Sequence, residues 1–332
     1  MNRRSFLQSV IGASCVGLAG ERETSPSIRR LHPAFDRIVP VDTALERIVD
    51  GHQWLEGPAW HRQSRSLYFS DIPRNTVYRW RENNGVLVAL HPSGYTGTHP
   101  FQGPEPGSNG LAFDSLGRLT LCEHGDRRLS RLEPDGRRTI LADRFQGKRL
   151  NSPNDLVYSS NGDLYFTDPP FGLPGTFNDP ARELPFCGVY RLDRWGGLSL
   201  VTSEVSAPNG IALSPDEKTL YVTNADRKQA VWMAYKLDSN GQPAKSRVFF
   251  DATEWARDER RKGAPDGMKT DRHGNLFGAG PGGLYIFSPA GTLLGRFEFG
   301  FSVSNCAWGD AGSTLYMTAS SAIYRVRLLT GI

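Results

Sequence analysis

Cysteine and methionine are scarce in this chain, and long apolar runs are missing. Only four of the 332 residues are cysteine and four are methionine. Cys122, Cys187 and Cys306 lie too far apart for a zinc site or a disulfide framework. Cys122 and Cys306 fall in strand-like apolar surroundings and read as small buried hydrophobes; a single disulfide with one thiol left over stays open. No stretch reaches the roughly 20 apolar residues of a membrane-spanning helix. Neither sign of charge is in excess, with 39 Lys and Arg against 35 Asp and Glu, so the dense basic face of a nucleic-acid binder is excluded. What the chain does have is 36 glycines and 22 prolines, with enough apolar residues to suit many short strands joined by turns.

The first twenty residues read as a segment apart. Arg3-Arg4-Ser5-Phe6-Leu7 resembles a twin-arginine export motif, and Val10 to Gly20 is a short, uncharged stretch of small and apolar residues. The expectation is a signal peptide over 1–20, an extension over 21–41 and a folded body over 42–332, in a protein exported to the periplasm or secreted.

The body repeats six times. Glu56-Gly-Pro-Ala-Trp60, Asn109-Gly-Leu-Ala-Phe113, Asn154-Asp-Leu-Val-Tyr158, Asn209-Gly-Ile-Ala-Leu213, Asp266-Gly-Met-Lys-Thr270 and Asn305-Cys-Ala-Trp-Gly309 open the units. An apolar run follows each opening, from Leu67-Tyr-Phe-Ser70 in the first unit to Leu315-Tyr-Met-Thr318 in the last. Third segments such as Thr76-Val-Tyr-Arg79, Gly188-Val-Tyr-Arg191 and Ala322-Ile-Tyr-Arg325 alternate with the period of a half-buried strand. Units of ~40–55 residues made only of short strands predict an all-β protein, a six-bladed β-propeller with four strands per blade. The last unit ends without a fourth strand, while 44–51 reads as a strand without a unit. The prediction is that 44–51 completes the last blade and closes the ring.

Insertions fall after second strands and after fourth strands, at 92–108, 143–153, 168–187 and 251–265. If the strands alternate up and down, these loops share one face with the six openings, so a mouth for a small molecule is expected there.

A lone Asn-Gly or Asp-Gly reads as a turn. Six polar openings at one phase read instead as a ring of oxygen groups around an axis, and Glu56 and Asp266 add formal charge. Two carboxylates supplemented by amides suit a hard divalent cation. Leu55-Glu-Gly-Pro-Ala-Trp60, Asn151-Ser-Pro-Asn-Asp155, Tyr165-Phe-Thr-Asp-Pro-Pro-Phe-Gly-Leu173, Pro208-Asn-Gly-Ile-Ala-Leu-Ser-Pro-Asp216 and Pro265-Asp-Gly-Met268 then supply a resemblance. In order and spacing they resemble the SMP-30/gluconolactonase family, nearest its bacterial gluconolactonases. The resemblance implies one divalent ion in the central tunnel, held by Glu56, Asn154, Asn209 and Asp266. Calcium is the first choice, with zinc, manganese and magnesium as alternatives. It also implies hydrolysis of a sugar lactone such as glucono-1,5-lactone.

Within that expectation Asp266 is the candidate general base, as an anionic group beside the ion. His124, in Cys122-Glu-His-Gly-Asp126, is the second catalytic candidate at the same face. Asn109, Asn154, Asp168 and Asn305 are the candidate substrate contacts. Trp60 and Trp308 read as packing between blades, and the charge run Asp258-Glu-Arg-Arg-Lys262 as a solvated loop. The competing readings are a phosphotriesterase or arylesterase using the same ion, and a propeller that binds a ligand without catalysis. A small-molecule lactone is the expected partner, with no nucleic acid and no membrane span, in a monomer or dimer.

Overall fold

The computed structural model of the protein describes residues 25–332. The expected signal segment, 1–20, lies outside the described residues. Six antiparallel sheets stand around an axis, each with its first strand innermost. In blade 1 the strands are Leu55–His61, Ser66–Asp71, Thr76–Arg81 and Gly85–Leu90. The inner strands of blades 2 to 6 are Ser108–Phe113, Leu156–Tyr158, Pro208–Leu213, Met268–Thr270 and Val303–Gly309. This is the predicted six-bladed propeller.

Closure also follows the prediction. Glu46–Val49 pairs with Ala322–Arg327, placing Glu46 opposite Arg325 and Arg47 opposite Tyr324. The Arg325 guanidinium grips the Glu46 carboxylate at 2.8 and 3.1 Å, so the strand that precedes the first blade becomes the outer strand of the sixth.

The segment read as an extension does more than precede the ring. Ser27–Arg30 adds a fifth strand to blade 5, pairing with Leu293–Glu298. A short 3-10 turn, Pro33–Arg37, then carries Phe35 into the core, edge-on to Phe297 with ring centroids 6.4 Å apart. Ser-Ile-Arg-Arg has one apolar residue in four, so it shows no alternation from which a strand could be read.

Antiparallel register fixes which loops share a face. Leu55 pairs with Asp71, Ser108 with Glu123 and Val303 with Ala319, so second strands end where inner strands begin. Fourth strands end at that face too, since Val77 pairs with Leu90 and Val231 with Asp251. Both kinds of insertion therefore surround the ring mouth. The insertion after blade 2 forms the ribbon Arg144–Phe145 with Lys148–Arg149, and the one after blade 4 contains the helix Thr253–Arg257.

The core lies between blades, in layers filled by aromatic side chains. Trp232 packs edge-on to Phe287 of the next blade at 5.4 Å, and Trp60 stacks on Tyr316 at 5.4 Å with planes 12° apart. Trp308 is edge-on to Phe277 and donates its indole N–H to the Thr270 carbonyl at 2.8 Å. Each such ring removes ~150–250 Å² from water, so blade-to-blade contacts hold the inner strands in a fixed circle. Cys122, Cys187 and Cys306 are all buried free thiols, Cys122 and Cys306 within these layers.

Candidate functional site

The openings of the inner strands are not turns. The register slips between Glu56 and Ala59, between Ser108 and Leu111, between Pro208 and Ile211, and between Val303 and Asn305. Such bulges re-aim a side chain away from the alternation of its strand. The glycine that follows the opening residue lets the neighbouring strand come close. A Cβ on Gly57, which has φ +53°, would sit 2.1 Å from the Asn109 carbonyl oxygen. One on Gly210 would sit 2.2 Å from the Asp266 carbonyl oxygen. Inner strands of adjacent blades thus nearly touch at the ring, and the tunnel narrows there.

The amides link from blade to blade. Asn109 Nδ2 donates to Asn154 Oδ1 at 2.6 Å, and Asn154 Nδ2 donates to Asn209 Oδ1. Across the axis, Asn305 Nδ2 donates to Asp155 Oδ2 at 3.3 Å. Glu56 Oε2 accepts the Gly57 N–H at 3.0 Å, and Asp266 Oδ1 accepts the Gly267 N–H at 2.9 Å. Five of the six opening side chains are buried; Asp266 alone keeps partial access to solvent.

The electrostatics are those of an uncompensated anionic site. No basic side chain lies within ion-pair distance of Glu56, Asp155 or Asp266 among the described residues. Burial pushes the Glu56 carboxyl up to about 8, and the charges of Asp155 and Glu105 add to the effect against the Gly57 N–H and Asn305. Asp266 is raised well above the usual carboxylate range, by burial first and then by Glu56 and Asp155. Asn109 Oδ1 is buried without a hydrogen-bond partner, which is costly unless something fills the gap. Oxygen donors, surplus negative charge and an unpartnered carbonyl oxygen fit a hard cation. Among the described residues no group of three or more His, Cys, Asp and Glu side chains is arranged to hold a metal, so any shell here must draw on the amides.

Comparison with known proteins gives the family of the chain. The SMP-30/Gluconolactonase/LRE-like region matches residues 54–321. A gluconolactonase from Zymomonas mobilis is 41% identical over 311 residues, which span 92% of this chain and 87% of that protein. The chain belongs to the SMP-30/gluconolactonase family. A gluconolactonase structure from Xanthomonas campestris superposes with a TM-score of 0.78 at 34% identity, covering 92% of this chain and 95% of that one. A pentonolactonase from Haloferax volcanii is 27% identical, over 83% of this chain and 85% of its own length.

Other residues of this family member fall differently from their sequence reading. His124 is fully buried and sits behind the ring, with Gly172 packed against it. Its Nε2 is 3.3 Å from Asn154 Oδ1, and its Nδ1 is 2.9 Å from Glu105 Oε2, an ion-pair distance away from the line of a directed hydrogen bond. It therefore braces Asn154. Asp168, expected as a substrate contact, is buried under the loop that carries Asn154. Its Oδ2 accepts the Asn151 N–H at 2.8 Å, while Asn151 Nδ2 donates back to the Asp168 carbonyl at 3.0 Å. Burial pushes Asp168 up to about 7, against the Asn151 and Ser152 N–H groups and Arg127. It acts as a buckle for that loop.

Two acidic residues of the site were not singled out from sequence. Asp155 follows a ring position, and because its strand starts only at Leu156, both Asn154 and Asp155 turn toward the axis. Its signal was present in the acid that follows Asn154. Glu105 comes from the long loop after blade 1, where no motif marks it.

Proposed function

We propose that this protein is a metal-dependent lactonase that opens a sugar lactone such as glucono-1,5-lactone. The observation that carries the reading is the buried oxygen ring with two unpaired carboxylates at the loop-rich mouth, in a chain 41% identical to a gluconolactonase along nearly its whole length. Glu56, Asn154, Asn209 and Asp266 would hold one divalent cation, with calcium preferred on the chemistry of an all-oxygen donor set. When bound, such an ion supplies positive charge that polarises an ester carbonyl and eases loss of a proton from water.

The chain's own residues do the rest. Asp266 takes the proton of the attacking water at its carboxylate, since it is anionic beside the ion and has the solvent access that the other ring residues lack. Glu56 is fully enclosed and serves as a fixed anionic ligand. Asn109 Oδ1 is free to accept a substrate hydroxyl. His124, held between Glu105 and Asn154, keeps the Asn154 amide in place. Arg3 and Arg4 extend the proposal to export through a twin-arginine route; replacing both with lysine should abolish secretion, and unchanged secretion would count against it.

The direct test is proton release from glucono-1,5-lactone, followed colorimetrically with and without chelator. Turnover that stops on chelation and returns with added calcium supports the reading. Turnover indifferent to chelation removes the metal from it. An aryl ester or phosphotriester cleaved in preference to lactones would replace the substrate class. No turnover of any of the three would leave a ligand-binding propeller.

A further inference from the structure

The axis holds a second space. On the face opposite the ring mouth, all six blades line a cavity of about 670 Å³. The hydrogen bond from Asn305 to Asp155 crosses the axis above it, and none of the six opening residues is part of its wall. Its volume lies in the range of small-molecule sites, roughly 300–1,000 Å³.

The wall is mainly apolar, with Trp60, Phe113, Tyr158 and Trp308 presenting aromatic surface. The wall also holds Arg62, which is exposed, and Asp114, which is paired with Arg118 at 2.8 Å; the cation that reaches in from the inner strand of blade 5 is Lys269. Lys269 Nζ donates to the Met268 carbonyl at 2.9 Å and lies 3.4 Å from Asn305 Oδ1. No carboxylate comes within 4.0 Å of it among the described residues. An ammonium has three N–H groups, so one is left without a protein acceptor. An incoming anion can take that N–H as a charge-assisted hydrogen bond.

We propose that this lower chamber binds a small organic monocarboxylate with an apolar body. The carboxylate meets Lys269, and the body lies against Trp60 and Trp308. Lys269 beside aromatic surface suits a carboxylate on an apolar body, and the exposed Arg62 adds positive charge to the same wall. The chamber lies beyond the ring and meets it where Lys269 approaches Asn305, and the proposal does not rest on lactone hydrolysis.

Titration calorimetry on the full-length protein tests it, with 3-phenylpropionate as probe and 3-phenylpropanamide as its uncharged isostere. The acid should bind about tenfold or more tightly than the amide, as a charge-assisted contact implies. Lys269→Met should bring the acid down to the level of the amide, Lys269→Arg should keep most of the difference, and Glu56→Gln should leave acid binding unchanged. Equal binding of acid and amide, no binding of the acid, or full acid affinity in Lys269→Met would overturn the proposal. So would loss of acid binding in Glu56→Gln, because the ligand would then sit at the ring. If Lys269→Met does not fold, the comparison of acid and amide on the unaltered protein still decides.

Discussion

Asp155 and Asn305 belong to blades on opposite sides of the propeller, yet Asn305 Nδ2 donates to Asp155 Oδ2 at 3.3 Å. The tunnel is therefore bridged directly beside the oxygen ring, and the ring is reached from the loop face. The same contact brings a third carboxylate to the site. Its charge raises the proton affinity of both Glu56 and Asp266. Replacing Asp155 with Asn removes that charge and lowers the pKa of Asp266. The acid limb of the kcat/KM profile should then move to lower pH, as a base with a lower pKa stays ionised further into acid. An unmoved limb would mean that Asp266 is not the group it reports.

Removal of the cation should show up in stability as well as in activity. Without it, folding lifts Glu56 from an ordinary 4.5 to about 8 and lifts Asp266 well above 3.8. The folded state then binds more protons than the unfolded chain between those limits, so stability must fall as pH rises through the window. Chelated protein should lose Tm steadily from about pH 5 to about pH 8, the span set by Glu56. Calcium should restore most at the alkaline end, where both carboxylates are charged and need it. A calcium effect on Tm that is equal at both ends would argue against these carboxylates as ligands.

The ring was legible in the sequence because it repeats. Five Asn or Asp residues and Glu56 recur at one strand phase, and a propeller converts equal phase into equal height. Closure by 46–49 was legible because the last unit lacked a strand. What escaped notice does not repeat. Asp155 lies one residue past the repeating phase, visible at the axis only because blade 3 starts its strand late. Glu105 reaches the site from a loop fixed by local contacts, including three backbone N–H groups bonded to Asn75 Oδ1 at 2.7 to 3.3 Å. His124 and Asp168 were found as residues, but their burial depends on the long loops folded over them, which no periodicity describes.

Phe35 tests whether the N-terminal segment is part of the folded unit. It is wholly buried, and its ring lies against Gly295, where a Cβ would come within 2.4 Å. Phe35→Ala should cost about 3–5 kcal/mol, as other large-to-small core changes do. Thermal or urea unfolding measures it. A loss under about 1 kcal/mol, the range of surface substitutions, would show that blade 5 holds without its fifth strand and this anchor.

Gly210→Ala probes the close approach at the ring. The added methyl meets the Asp266 carbonyl oxygen, a backbone atom that moves only with its strand. Overpacking of this kind costs about 1–3 kcal/mol. Because the displaced residue is Asp266, the expected result is a modest fall in Tm with a larger fall in calcium affinity. Loss of Tm with calcium affinity intact would show that the ring tolerates the shift.

Asp266→Asn separates proton transfer from ligation. The amide keeps one oxygen for the cation but has no charge and accepts no proton. With the cation saturating, kcat should fall about 10²–10⁴-fold, the usual loss for a general base, while the fold is retained. Saturation matters because the same change weakens cation binding, and turnover at low calcium would mix the two effects. His124→Gln is the matched control. Its ring lies behind Asn154 at 3.3 Å and faces Glu105 on the other side, so its loss should loosen the amide and cost much less. If Asp266→Asn keeps near-normal kcat at saturating calcium while His124→Gln is inactive, Asp266 is a ligand only. The proton then leaves through the Glu105–His124 pair, which meets the ring at Asn154.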